Sequence, residues 1–132
     1  MLGSVEFHDS VVIADLEAGI GTLTRMADRG VDAVLVVVEP TPKSIEVGVR
    51  AAGLVREKSL GRVIVLANRL RGGEDLAALR AAFPTEEIVP VPDDSSIVEA
   101  DRRGVAPLDS APDAPAVRAL VQLAESLLPR AA

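Results

Sequence analysis

Residues 33–38 read Ala33-Val34-Leu35-Val36-Val37-Val38, and Glu39-Pro40-Thr41-Pro42 follow at once. Six apolar residues in a row are far too few to cross a bilayer. They are also too unbroken for a strand with one wet face, and describe a strand covered on both faces by helices, as in parallel sheets. Thr41 as N-cap with Pro42 at the first helical position opens a helix directly behind it, expected to run to about Lys58 with Ile45, Val49, Ala52 and Val55 on one face. A buried strand running straight into a helix is half of a βαβ unit.

The same alternation extends in both directions. Residues 11–15 (VVIAD) and 63–67 (VIVLA) are further apolar strand runs, and residues 88–91 (IVPV) are a shorter one. Pro90 and Pro92 mark that last strand as an edge, because proline cannot donate to a ladder. A helix is expected over 73–82 with Leu76, Leu79 and Phe83 inward, and a short one capped by Asp94 to about Arg103. Beyond a proline-rich surface connection at 106–115, Val117, Leu120, Val121, Ala124, Leu127 and Leu128 form the stripe of a closing amphipathic helix. No internal repeat or second boundary interrupts the pattern. The expectation is a single α/β domain over residues 1–132, three-layered, with a mostly parallel sheet and helices on both faces.

Composition narrows the partners. The 132 residues are 48% hydrophobic and 26% charged, a globular balance. A formal net charge of −6, with Lys43 and Lys58 as the lysines, argues against nucleic acid and anionic membrane. Phe7 and Phe83 are the aromatic residues, so no platform exists for stacking bases. The absence of cysteine excludes disulfides, thiolate metal sites and a cysteine nucleophile. Residues 1–10 carry Glu6, His8 and Asp9 where a secretory signal would be apolar, so a cytoplasmic location is expected.

In open parallel sheets ligands bind beyond the carboxyl ends of the strands. The residues there are Asp15, Glu39, Asn68 and the Pro92-Asp93-Asp94 turn. An aspartate ending an apolar strand can hold a metal through water, and a glycine four residues on can offer its N–H to a phosphate; Asp15 and Gly19 have that spacing. Asp93-Asp94 also reads as a plain turn and N-cap. His8 has no second histidine or cysteine with which to hold a metal.

Residues 11–20, Val-Val-Ile-Ala-Asp15-Leu-Glu17-Ala18-Gly19-Ile20, resemble the Walker B strand and switch II of the MinD/ParA-type P-loop ATPases. The D-x-E-A-G-I form is typical of its branch containing the maturation ATPases of carbon monoxide dehydrogenase. Val38-Glu39-Pro40 before Lys43-Ser44-Ile45 resembles that branch's V-E-P segment. Ala67-Asn68-Arg69 is similar to the N-K position whose Asn contacts adenine, and Val91-Pro92-Asp93-Asp94 to the P-x-D loop beside the base. The likeness runs from about Val11 to the C-terminus. It implies an incomplete P-loop NTPase fold and ATP with magnesium as ligand. Asp15 would then stand in the magnesium shell through water and Gly19 near the γ-phosphate, with Asn68, Arg69, Pro92 and Asp94 around adenine.

The departures decide what to expect of activity. A P-loop needs a glycine-rich turn and a lysine, G-x-x-x-x-G-K-[ST]. Lys43-Ser44 follows Pro42 and Lys58-Ser59 follows Glu57, so neither qualifies, and only residues 1–10 precede Val11. The family's phosphate machinery and the Cys-x-Cys pair of the maturation branch are not in these residues. Gly21 stands where relatives usually carry Glu, and Arg69 where Lys is common. The expectation is therefore a truncated or degenerate ATPase domain that keeps the base side of the site and does not hydrolyse ATP alone. The family's missing central strand would lie between residues 11–15 and 33–38, leaving a gap for direct pairing, for residues 4–8, or for a partner chain. That gives the alternative: a non-catalytic interaction module that self-associates as a homo-oligomer or pairs with a P-loop partner. A receiver-like phosphoacceptor domain using Asp15 would need further acidic residues beside it and a lysine ending a late strand.

Overall fold

The computed structural model describes residues 11–16, 21 and 30–128. Strand β1 (Ala33–Val38) leads into helix α1 (Pro42–Glu57), β2 (Arg62–Leu70), α2 (Gly73–Ala82), β3 (Glu87–Pro92), α3 (Ser95–Arg102), a single turn α4 (Pro107–Ser110) and α5 (Pro115–Leu127). The three strands form one parallel sheet in the order β1-β2-β3. β1 and β2 pair without interruption from Ala33↔Arg62 to Val38↔Ala67. β3 is an edge strand, as its prolines require.

The unbroken apolar run of β2 divides its side chains between two cores. Val65, Ala67 and Leu70 join Val36, Val38, Ala52, Leu79 and Phe83 under α1 and α2. Ile64 and Leu66 point the other way, against Leu123, with Ala33, Val89 and Leu127 alongside. Helices therefore cover both faces, which makes the domain an α/β layered fold. α1 lies close on β1 at Gly48, where an added Cβ would come within 2.5 Å of a Val38 methyl and 3.1 Å of the Phe83 ring. Arg56 in the last turn of α1 pairs with Glu86, whose side chain is only 5% exposed, and this fastens the helix to the start of β3.

Two helix endings share one device. After α1, the Ser59 N–H donates to the Arg56 carbonyl and the Leu60 N–H to the Val55 carbonyl, with Ser59 at φ 49. After α3, Gly104 and Val105 donate to Asp101 and Ala100 in the same way, with Gly104 at φ 63. Both are Schellman endings, which place one residue in the left-handed region.

The structure corrects three sequence-based expectations. Residues 11–16 form no strand; Val11, Val12 and Ile13 are 60%, 47% and 87% exposed. A strand is stabilised only by the neighbour it pairs with, and this run has none in the sheet. Nor is β1 buried on both faces: Leu35 and Val37 are 40% and 60% exposed. The closing helix exists and buries Val117 of the expected stripe, but it also buries Ala116 and Leu123 from outside that stripe, while Leu120 and Leu128 face outward. The expected connection at 106–115 does lie on the surface, and it includes the single turn α4. No helix among the described residues is long and apolar enough to cross a membrane.

Candidate functional site

Polar residues collect where the three parallel strands end. Behind β1, the Glu39 N–H donates to Ser44 Oγ at 2.9 Å, and the Ser44 N–H donates to the Thr41 hydroxyl at 3.3 Å. The N-cap thus also fixes the carboxylate-bearing turn.

β2 ends in a bulge. Ala67 lies opposite Pro90 and Leu70 opposite Pro92, so Asn68 and Arg69 together face the single residue Val91. The reason lies in β3: Pro90 and Pro92 have no N–H to donate, so interrupting the ladder there forfeits little. Arg69 adopts φ 58 to make the bulge. A left-handed non-glycine residue costs on the order of 1 kcal/mol or more, so something must hold it. Arg69 Nη1 lies 3.4 Å from Glu39 Oε1, and its Nε 3.8 Å from Asp93 Oδ1. Arg71 Nε is 3.5 Å from the other Asp93 oxygen, and the Arg71 N–H donates to Asp75 at 2.8 Å. These ion pairs are half exposed, worth about 0–1 kcal/mol each, so together they are of the size needed to offset the backbone cost. Asn68 is partly buried, and its side-chain amide makes no hydrogen bond among the described residues.

Asp94 is engaged on both oxygens. One accepts the Ser96 N–H at 2.9 Å, which caps α3, and the other accepts the Ala116 N–H at 3.1 Å, in the first turn of α5. α5 has no cap of its own, since Ala114 stands at its N-cap, so Asp94 supplies one from outside the helix. The Ala116 bond first, and the Ser96 bond second, hold the Asp94 carboxyl below its ordinary pKa of 3.8.

A cleft of about 800 Å³ opens beside these groups between the strand ends, α3 and α4. Arg69, Asp93, Ser96, Val98, Arg103 and Ser110 are among its walls. The cleft is open, with more polar than apolar walls, and Asn68 and Pro92 are not among its lining residues. Of the residues singled out in the sequence, Asn68, Arg69, Pro92 and Asp94 come to this one end of the sheet. Asp15 is exposed in the unpaired stretch 11–16, and Gly19 lies outside the described residues. No group of three or more His, Cys, Asp or Glu among the described residues could hold a metal ion. Among the described residues, this end of the sheet gathers an amide, a guanidinium and carboxylates, and no metal-binding cluster. Arg71 and the Asp94–Ala116 bond were not foreseen. The Arg69-Leu70-Arg71 alternation was the signal for the former; a contact spanning 22 residues gives no local signal for the latter.

The chain is 30% identical over 102 residues to the carbon monoxide dehydrogenase accessory protein CooC of Rhodospirillum rubrum, covering 76% of this chain and 39% of that protein. Taken with the ordered motifs and the parallel sheet, this settles the relationship. The chain belongs to the MinD/ParA-type ATPase family. Two uncharacterized ATP-binding proteins of Methanocaldococcus jannaschii are similar as well, one 33% identical over 101 residues and the other 26% over 126. The matches cover 74% and 92% of this chain, and 39% and 48% of those proteins. This MinD/ParA-type chain thus spans less than half the length of the relatives it matches, and corresponds to the family's C-terminal portion. No family model matches it.

Proposed function

We propose that these residues form the adenine side of an ATP site and do not hydrolyse ATP by themselves. The observation that carries this reading is the convergence of Asn68, Arg69 and the Pro92–Asp94 turn at the carboxyl ends of the parallel strands, beside the 800 Å³ cleft. An asparagine amide offers one donor and one acceptor side by side, the complement of an adenine edge. Asn68 has that amide uncommitted. Asp94, spent on two helix caps, shapes the loop beside the base rather than contacting it. Two relatives are named as ATP-binding proteins, which supports the ligand. Bound magnesium would supply charge neutralisation at the phosphates, and nothing in the 132 residues has the P-loop pattern needed to hold those phosphates.

Calorimetric titration of the chain with ATP and magnesium, with ADP as control, tests the proposal. Binding tighter than about 1 mM is expected. Asn68→Ala should weaken it by roughly fivefold or more, the loss of about 1–3 kcal/mol from a bidentate contact. ATP turnover by the purified chain would contradict the non-hydrolytic part, and absence of heat would contradict the binding part.

A second reading, an interaction module, is favoured by the position of β1 at the edge of the sheet among the described residues. Its six residues carry no charge, and Leu35 and Val37 stand uncovered. Such an edge is a template for another strand.

A further inference from the structure

Ser59 and Arg69 are the non-glycine residues at positive φ among the described residues. A helix ending accounts for Ser59. Arg69 has no such turn around it, and sits one residue before the end of β2, where the ladder resumes at Leu70. What distinguishes it is its side chain, which lies between Glu39 behind β1 and Asp93 behind β3, at 3.4 and 3.8 Å. The ends of all three strands are tied through one guanidinium. Arg71, on the second Asp93 oxygen, keeps that carboxylate turned toward the bulge. The backbone of the same arginine is half of the bulge that carries Asn68. If position 69 returned to an extended conformation, the two-against-one count opposite Val91 would be lost, and Asn68 would change direction.

We propose that Arg69 is a positioning residue: by bridging Glu39 and Asp93 it holds the bulge and fixes the direction of the Asn68 amide. Its consequence for base recognition rests on the nucleotide reading above; its consequence for Asn68 does not. Arg69 then acts through its neighbour, with its own guanidinium committed to the two carboxylates.

The test is nuclear magnetic resonance of the ¹⁵N-labelled chain, following the Asn68 side-chain amide pair and the backbone amides of 67–71. Arg69→Gln removes the ion pairs while keeping the steric cost of the left-handed conformation. It should shift or broaden the Asn68 amide signals, and Glu39→Gln should move them part of the way. Arg69→Lys, which keeps the charge, should restore them toward wild type. Raising the salt from 50 to 500 mM should move the wild-type signals in the direction of Arg69→Gln, because exposed ion pairs are screened. In ATP titrations, Arg69→Gln should weaken binding by roughly threefold or more, as expected within one ion-pair network. Unchanged Asn68 signals in Arg69→Gln, or a wild type insensitive to salt, would overturn the proposal. A wild-type chain that binds no ATP would defeat the nucleotide reading, while the Asn68 signals would still decide the positioning claim.

Discussion

Ser59 and Gly104 do the same work in two helix endings, yet one pays a steric cost that the other avoids. Both lie left-handed, at φ 49 and φ 63, and an added Cβ at Gly104 would meet nothing within 4 Å. Ser59→Gly should therefore stabilise the chain by about 1 kcal/mol, less what glycine gives back through a freer unfolded state. Urea denaturation would measure it, and a loss of stability would show that the Ser59 side chain contributes more than its strain. Asp94 makes the opposite case, a residue whose chemistry depends on pH. Its carboxyl titrates below the ordinary value of 3.8 in the folded state. A depressed folded pKa means that its contribution is fully present above that ordinary value and is lost as pH falls through the folded pKa. Asp94→Asn should lower the melting temperature at pH 7, and the gap from wild type should close in acid below pH 3.8. A gap independent of pH would remove the charge from the explanation. At this scale the cap on α3 was legible, because Asp followed by Ser-Ser-Ile is a local signal. The bond from Ala116 was not, because it depends on where α5 comes to lie.

Strands and helices were legible where local pattern decides them. Thr41-Pro42, the run 63–67 and the two prolines of β3 each specify their element within a few residues, and the structure agrees. Burial was less legible, because it depends on neighbours that no local pattern names. The α5 stripe has a helical period, but with the sheet limited to β1–β3 the helix turns Leu123 and Leu127 onto Ile64, Leu66 and Val89. Residues 11–15 have the composition of a strand and pair with no strand among the described residues. The prediction that belongs here concerns β1, which lies at the edge of the described sheet. Val37→Lys places a charge on an exposed edge position and should change stability by no more than about 0.5 kcal/mol. On the interaction reading, the wild type should self-associate in sedimentation at high concentration and Val37→Lys should abolish that association, since edge lysines block strand addition. Equal association by both chains would move the contact away from β1.

For the molecule as a whole, the layered parallel fold follows from the sequence of βαβ runs, and the family relationship agrees with it. The ion pairs that join the three strand ends do not follow from it, because Glu39, Arg69 and Asp93 meet only when β1, β2 and β3 are side by side. The central claim is that this end receives adenine. At 13.8 kDa the chain is suited to a ¹⁵N chemical-shift titration with ATP and magnesium, which locates binding as well as detecting it. The account predicts saturable shifts confined to residues 67–71 and 91–96, with the Asn68 side-chain amide moving most and the α1–α2 core unchanged. Shifts centred elsewhere, or none up to millimolar ATP, would contradict it.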